Sequence, residues 1–184
     1  SDIINDRSKL DHEADLDVAL VVRELEDSAD VEVLTFNLGN VLSNTSGKDN
    51  LKLESRDMMI VFADYQDRAL VLIPFIENLK RQASIDGLAR VVTSSGKVRF
   101  PGEYPLAEGM TVRDLIGLSG GLLDSAYSQS AEISRLDLSN PNSAVLSIVI
   151  SDLRSSSTAT LMPSDYVEFI SIGNCKTHPQ MDPY

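Results

Sequence analysis

Few residues in this chain could do acid–base or nucleophilic chemistry. It holds two histidines, His12 and His178, and one cysteine, Cys175. A tetrahedral zinc site needs three or four converging His, Cys or carboxylate ligands. Cys175-Lys176-Thr177-His178 has Cys-x-x-His spacing, but a single pair does not close such a site, and beside Pro179 and Pro183 it reads as a solvated tail. Carboxylates are abundant, with 28 Asp and Glu, and a suitably spaced pair could hydrolyse a glycosidic bond. Asp57 and Asp165 recur in one context, a polar turn leading into an apolar strand. Aspartate in such a turn commonly accepts hydrogen bonds from local backbone amides, so a structural role is expected for both. Gly120-Gly121 lacks the phosphate-loop lysine and the dinucleotide-binding spacing and reads as a helix stop. No catalytic set emerges, so the chain is expected to be a non-enzyme without cofactor or metal.

What remains is recognition chemistry. Arg23 and Arg135 could present planar donors to sugar hydroxyls or uronate carboxylates, and Tyr104 and Tyr127 could offer stacking faces. These four are the candidate ligand-binding residues. The alternative for the same residues is structural: tyrosines capping a small core and arginines in surface salt bridges. A net charge of −12, with no Lys/Arg cluster, repels nucleic-acid phosphates and anionic lipid head groups. Nucleic acid is therefore not an expected partner.

No stretch approaches the ~20 apolar residues that span a bilayer; the longest apolar run, 69–76, contains Pro74. The opening Ser1-Asp2-Ile3-Ile4 resembles neither a signal peptide nor a natural start. The chain is thus expected to be a piece of a larger protein, meeting a membrane only through parts of that parent. One cysteine excludes an internal disulfide and leaves the compartment open.

The elements that must carry these residues come from an internal repeat. The segment from Ala14 through Ala19 to Arg23 resembles that from Ala126 through Ala131 to Arg135, since 126 − 14, 131 − 19 and 135 − 23 all give 112. Each leads through a polar turn to an apolar stretch, then to a leucine, a turn with aspartate and a strand. In that closing part the offset is 165 − 57 = 108, which places four extra residues of the first copy around 43–50. About forty residues of further pattern precede Ala126 but only thirteen precede Ala14. The first copy is therefore expected to have lost its opening hairpin and helix, given a parent that had them, and its sheet to need cover from elsewhere in the protein or from another chain.

Between the copies, Leu70, Ile73, Ile76, Leu79 and Ala83 form one helical stripe over 67–83, with Pro74 as a start or kink. Further on, Arg90–Thr93 and Lys97–Phe100 read as strands around the Ser94-Ser95-Gly96 turn. Thr111 is a helix N-cap with Asp114 completing a capping box. Val112, Leu115, Ile116 and Leu118 form that helix's buried face, and strands follow over 131–136, 147–150 and 166–172. Hairpin, helix, then strands is the order of a β-grasp.

The residues from Gly96 through Pro101-Gly102-Glu103-Tyr104, Glu108-Gly109 and Thr111-Val112-Arg113-Asp114-Leu115 to Gly120-Gly121-Leu122 resemble the signature of the soluble-ligand-binding β-grasp (SLBB) domain. Ala126-Tyr127, Ala131-Glu132-Ile133, Arg135 and Asp165 continue the pattern. The resemblance covers about 88–173, extends through the repeat to 14–63, and points to bacterial outer-membrane polysaccharide (capsule or exopolysaccharide) export proteins. It implies an α+β fold: an incomplete SLBB unit over 1–63, a helical connector over 64–87, a complete unit over 88–173 and a tail over 174–184. It further implies a periplasmic structural and transport module associated with the outer membrane. That module would help build a homo-oligomeric conduit, with polysaccharide and other envelope export components as partners. The alternative is a β-grasp module that binds or senses a glycan or small ligand.

Overall fold

The uninterrupted apolar run Val18–Val22 suits a strand buried on both faces, and it lies in β1 (Ala14–Glu24), where Ala19, Leu20 and Val21 are all fully buried. The structure is a computed structural model and describes residues 8, 10–26, 28, 30–44, 46–47, 49–124, 126–136, 145–150, 153 and 159–171. β1 is the centre of an antiparallel three-stranded sheet, flanked by β2 (Val31–Phe36) and β3 (Met58–Ala63). Between β2 and β3 lies the short helix α1 (Leu38–Ser43), capped by the Asn37 side chain, which accepts from the Asn40 N–H at 2.7 Å.

Helix α2 (Arg68–Asp86) then leads to the second sheet, its first turn capped by Asp67, which accepts from the Ala69 and Leu70 amides. That sheet contains β4 (Val91–Gly96), β5 (Gly102–Pro105), β6 (Ala126–Leu136), β7 (Val145–Ile150) and β8 (Tyr166–Ser171), ordered β5-β4-β8-β6-β7. β4 and β8 run parallel, and the other neighbours are antiparallel. Helix α3 (Val112–Leu118) carries the expected capping box between Thr111 and Asp114 and buries Val112, Leu115 and Leu118. The described residues form a mixed α+β fold with two sheets and three helices, compatible with a β-grasp-like order. One apolar core joins both sheets: Leu20, Val22 and Phe62 meet Leu72, Ile76 and Leu79 of α2, and continue to Tyr104, Leu118, Ile133 and Phe169.

Three local expectations change. The partner of β4 is β5 rather than residues 97–100, because Gly96 (φ 79°) keeps the chain beside β8 and Val98 turns inward to bridge Leu122. α2 begins at Arg68, six residues before Pro74, and continues through it. Its buried face is Leu72, Ile76 and Leu79, whereas Leu70 and Ile73 are 63 % and 46 % exposed. The stripe drawn through Leu70 and Ile73 is thus displaced around the helix, since Ala69 and Leu72 turn toward the core in their place.

The two sheets share ladder details. β1 and β3 pair Ala14 with Ala63, then shift register and pair Ala19 with Val61. β6 and β8 pair Ala126 with Ser171, then shift and pair Ala131 with Phe169. The residue offsets between these pairs are the 112 and 108 seen in the sequence.

Candidate functional site

Arg135 stands on β6, and the turn before β8 brings Asp165 beneath it. Arg135 Nε donates to Asp165 Oδ1 at 2.8 Å and Nη2 to Oδ2 at 2.7 Å, and Nη2 also donates to the Thr160 carbonyl at 3.0 Å. Asp165 Oδ2 accepts in addition from the Met162 amide at 2.8 Å. The first sheet has the same constellation. Arg23 Nε and Nη2 donate to Asp57 Oδ1 and Oδ2 at 3.0 and 2.8 Å, Nη2 donates to the Lys52 carbonyl at 2.9 Å, and the Glu54 amide donates to Asp57 Oδ2 at 2.8 Å. In each turn the residue before the aspartate is left-handed, Arg56 at φ 70° and Ser164 at φ 66°. The Arg23 hydrogen bonds hold the Asp57 carboxyl below the usual carboxylate range, and Asp57 and Asp165 in turn raise Arg23 and Arg135. Such fork-to-fork pairs fix a turn against a strand.

Tyr104, on β5, is fully buried, and its hydroxyl donates to the Phe100 carbonyl at 2.5 Å. Burial pushes its phenol up to about 12. Tyr127 lies in β6, with its side chain outside the described residues. Cys175 and His178 are outside them too, and among the described residues no group of three or more His, Cys, Asp or Glu could hold a metal ion. Gly96, Gly102, Gly120 and Gly121 all have positive φ, and Pro101 is exposed just before β5. No helix among the described residues is long and apolar enough to cross a membrane.

Sequence reasoning overlooked the junction between the sheets. Arg68, at the start of α2, is only 1 % exposed. Its Nη2 meets Asp15 Oδ2 of β1 at 2.5 Å and its Nη1 donates to the Gly117 carbonyl of α3 at 2.8 Å. The guanidinium lies 5.3 Å from the Phe62 ring centroid and 5.9 Å from that of Phe100, where cation–π attraction partly offsets its burial. Among the described residues Arg68 Nε has no hydrogen-bond partner. One buried cation of α2 therefore ties the first sheet to α3 and to the segment between β4 and β5. The one sequence signal for it was an arginine directly after a helix cap, and its partner Asp15 is 53 residues away.

Beside this junction, between α3 and the β1–β2–α1 layer, opens a groove of about 510 Å³. It is lined by Asp17 and Val18 of β1, by Thr35, Phe36, Asn37 and Asp49, and by Arg113, Asp114, Gly117 and Leu118 of α3. No curated protein matches the chain. Residues 91–146, from β4 into the start of β7, match the family model of the SLBB domain.

Proposed function

We propose that the chain is a non-catalytic structural and transport module of a bacterial polysaccharide-export protein, made of a complete and an incomplete SLBB unit joined by α2. SLBB is a binding domain, often found in polysaccharide-export proteins, and not a known enzyme family. The observation that carries the two-unit reading is the duplicated clamp: Arg23 on Asp57 and Arg135 on Asp165, each aspartate also accepting an amide three residues upstream. The shared register shift beside each clamp supports it. In this reading the first unit has β1, β2 and β3 where the second has β6, β7 and β8, and among the described residues β4, β5 and α3 have no counterpart beside β1–β3.

In this reading the two units, locked by Arg68, form a stiff wall segment of a periplasmic homo-oligomer at the outer membrane. Such a wall passes a hydrated glycan and meets other export components. A wall role, rather than a sensor built on Tyr104 and Arg135, is supported by the prior engagement of both side chains within the fold. The test is deletion of the parent gene with wild-type complementation, following where polymer accumulates, and native mass spectrometry of the extracted protein. Loss of surface polysaccharide with polymer retained inside, together with a homo-oligomer, is expected. Unchanged surface polysaccharide would overturn the export role.

A further inference from the structure

Gly117 interrupts an otherwise ordinary helical turn of α3. Glycine within a helix costs roughly 1 kcal/mol against alanine, and Gly117 does not have positive φ that would call for it. A Cβ built there meets nothing within 4 Å, so packing does not demand glycine either. What the bare backbone does is keep the groove open, because Gly117 lines it and its carbonyl is held from behind by Arg68.

From this we infer that the groove at the junction is a saccharide subsite, taking one or two neutral pyranose units of the transported glycan. The inference rests on the export reading and deepens it by naming where the wall touches the polymer. The volume, about 510 Å³, falls within the roughly 300–1,000 Å³ of small-ligand sites. Val18, Leu118 and the Phe36 ring offer apolar surface to the C–H face of a pyranose. The Asp17 and Thr35 side chains line the same space, and a carboxylate beside a hydroxyl suits vicinal sugar hydroxyls.

Charge selects within the class of sugars. Asp17, Asp49 and Asp114 outnumber Arg113 around the groove, and the chain as a whole carries −12, so a uronate or phosphate-bearing unit is repelled. A metal ion is not the better occupant, since the acidic groups do not converge into a ligand set among the described residues. An open, partly apolar groove with few polar partners implies weak binding, which suits a polymer that must move on.

The experiment is a 15N–1H correlation titration of the 184-residue chain with neutral gluco- and galacto-oligosaccharides of two to four units, with tri-galacturonate and spermidine as the other probes. A saturable shift of the Thr35, Phe36 and Gly117 amides by a neutral oligosaccharide is expected, with little response to tri-galacturonate. Gly117→Leu fills the groove without meeting protein atoms at its Cβ, and should weaken the shift at least tenfold. Asp17→Ala, at an exposed position of β1, should weaken it severalfold. Undiminished binding in Gly117→Leu would overturn the subsite while leaving the export role standing, and a response to spermidine alone would overturn it too. Loss of surface polysaccharide in the deletion strain is scored separately, so the two readings fail independently.

Discussion

Arg135 and Asp165 meet through two parallel hydrogen bonds of 2.8 and 2.7 Å, with Asp165 fully buried and the arginine still in partial contact with water. The pair closes the turn before β8 onto β6, and its third donor, the Met162 amide, ties the turn to itself. Removing one partner of a buried pair typically costs about 3–5 kcal/mol, because a desolvated charge is left behind. Arg135→Ala should therefore lower stability in urea by about 3 kcal/mol. Arg135→Lys should recover only part of it, since an ammonium cannot reproduce the fork. A loss below about 1 kcal/mol for Arg135→Ala would reduce the pair to an ordinary surface contact.

The equivalent pair of the first sheet gives a pH dependence. Asp57 titrates below its ordinary value because Arg23 donates to its carboxylate and the Glu54 amide adds a further hydrogen bond. A carboxyl depressed on folding contributes stability that is fully present above its unfolded pKa, near 3.9. That contribution is lost as pH falls through the lower folded value. Urea midpoints measured from pH 6 to pH 2 should fall more steeply below about pH 4 in the wild type than in Asp57→Asn, whose midpoint starts lower. Parallel curves would show that Asp57 is not held down by Arg23.

The clamps were only half legible in the sequence. Arg23 and Arg135 stood out by their shared offset, and Asp57 and Asp165 by their turns, but nothing in a linear pattern pairs residues 34 or 30 positions apart. The capping box at Thr111 and Asp114 was readable because both members lie within one turn. The partner of β4 was misread because local turn signals at Ser94-Ser95-Gly96 pointed to a tight hairpin. The parallel β4–β8 pairing, set by residues about 70 positions later, carries the strand on through Gly96. The α2 stripe was misplaced for a related reason: a helix packed on several sides hides more than one apolar row, and tertiary contact decides which row is buried. Arg68 and the groove escaped notice because they exist only where three distant segments meet.

Tyr104 supplies an alkaline counterpart to Asp57. Its phenol is raised to about 12 chiefly by burial, against about 10 in an unfolded chain. A group raised on folding contributes stability that is intact below the unfolded value and lost as pH climbs toward the folded one. Between pH 10 and 12 the shift corresponds to about 2–3 kcal/mol. Tyr104→Phe should therefore be less stable at pH 7, having lost the hydrogen bond to the Phe100 carbonyl, by about 1–2 kcal/mol. Its stability should also fall less between pH 10 and 12. An identical alkaline decline in both proteins would mean that other groups govern that limb.

Gly96 and Gly109 separate backbone strain from steric contact. Both have positive φ, 79° and 69°, so an alanine at either pays roughly 1–2 kcal/mol for a left-handed backbone. At Gly109 a Cβ meets nothing within 4 Å, and that conformational cost is all that Gly109→Ala should show. At Gly96 the Cβ would lie 2.3 Å from the Phe169 carbonyl oxygen, which belongs to the backbone of β8. A carbonyl in a ladder has no rotamer to change, so β4 and β8 must part, and the Lys97 amide loses its 2.9 Å bond to that same oxygen. Gly96→Ala should cost about 4 kcal/mol or more in urea unfolding, the range of the largest single-site effects, and amide exchange should rise first along β4 and β8. Equal losses at the two glycines would show that the β4–β8 approach is looser than these distances imply, and with it the frame of the second sheet.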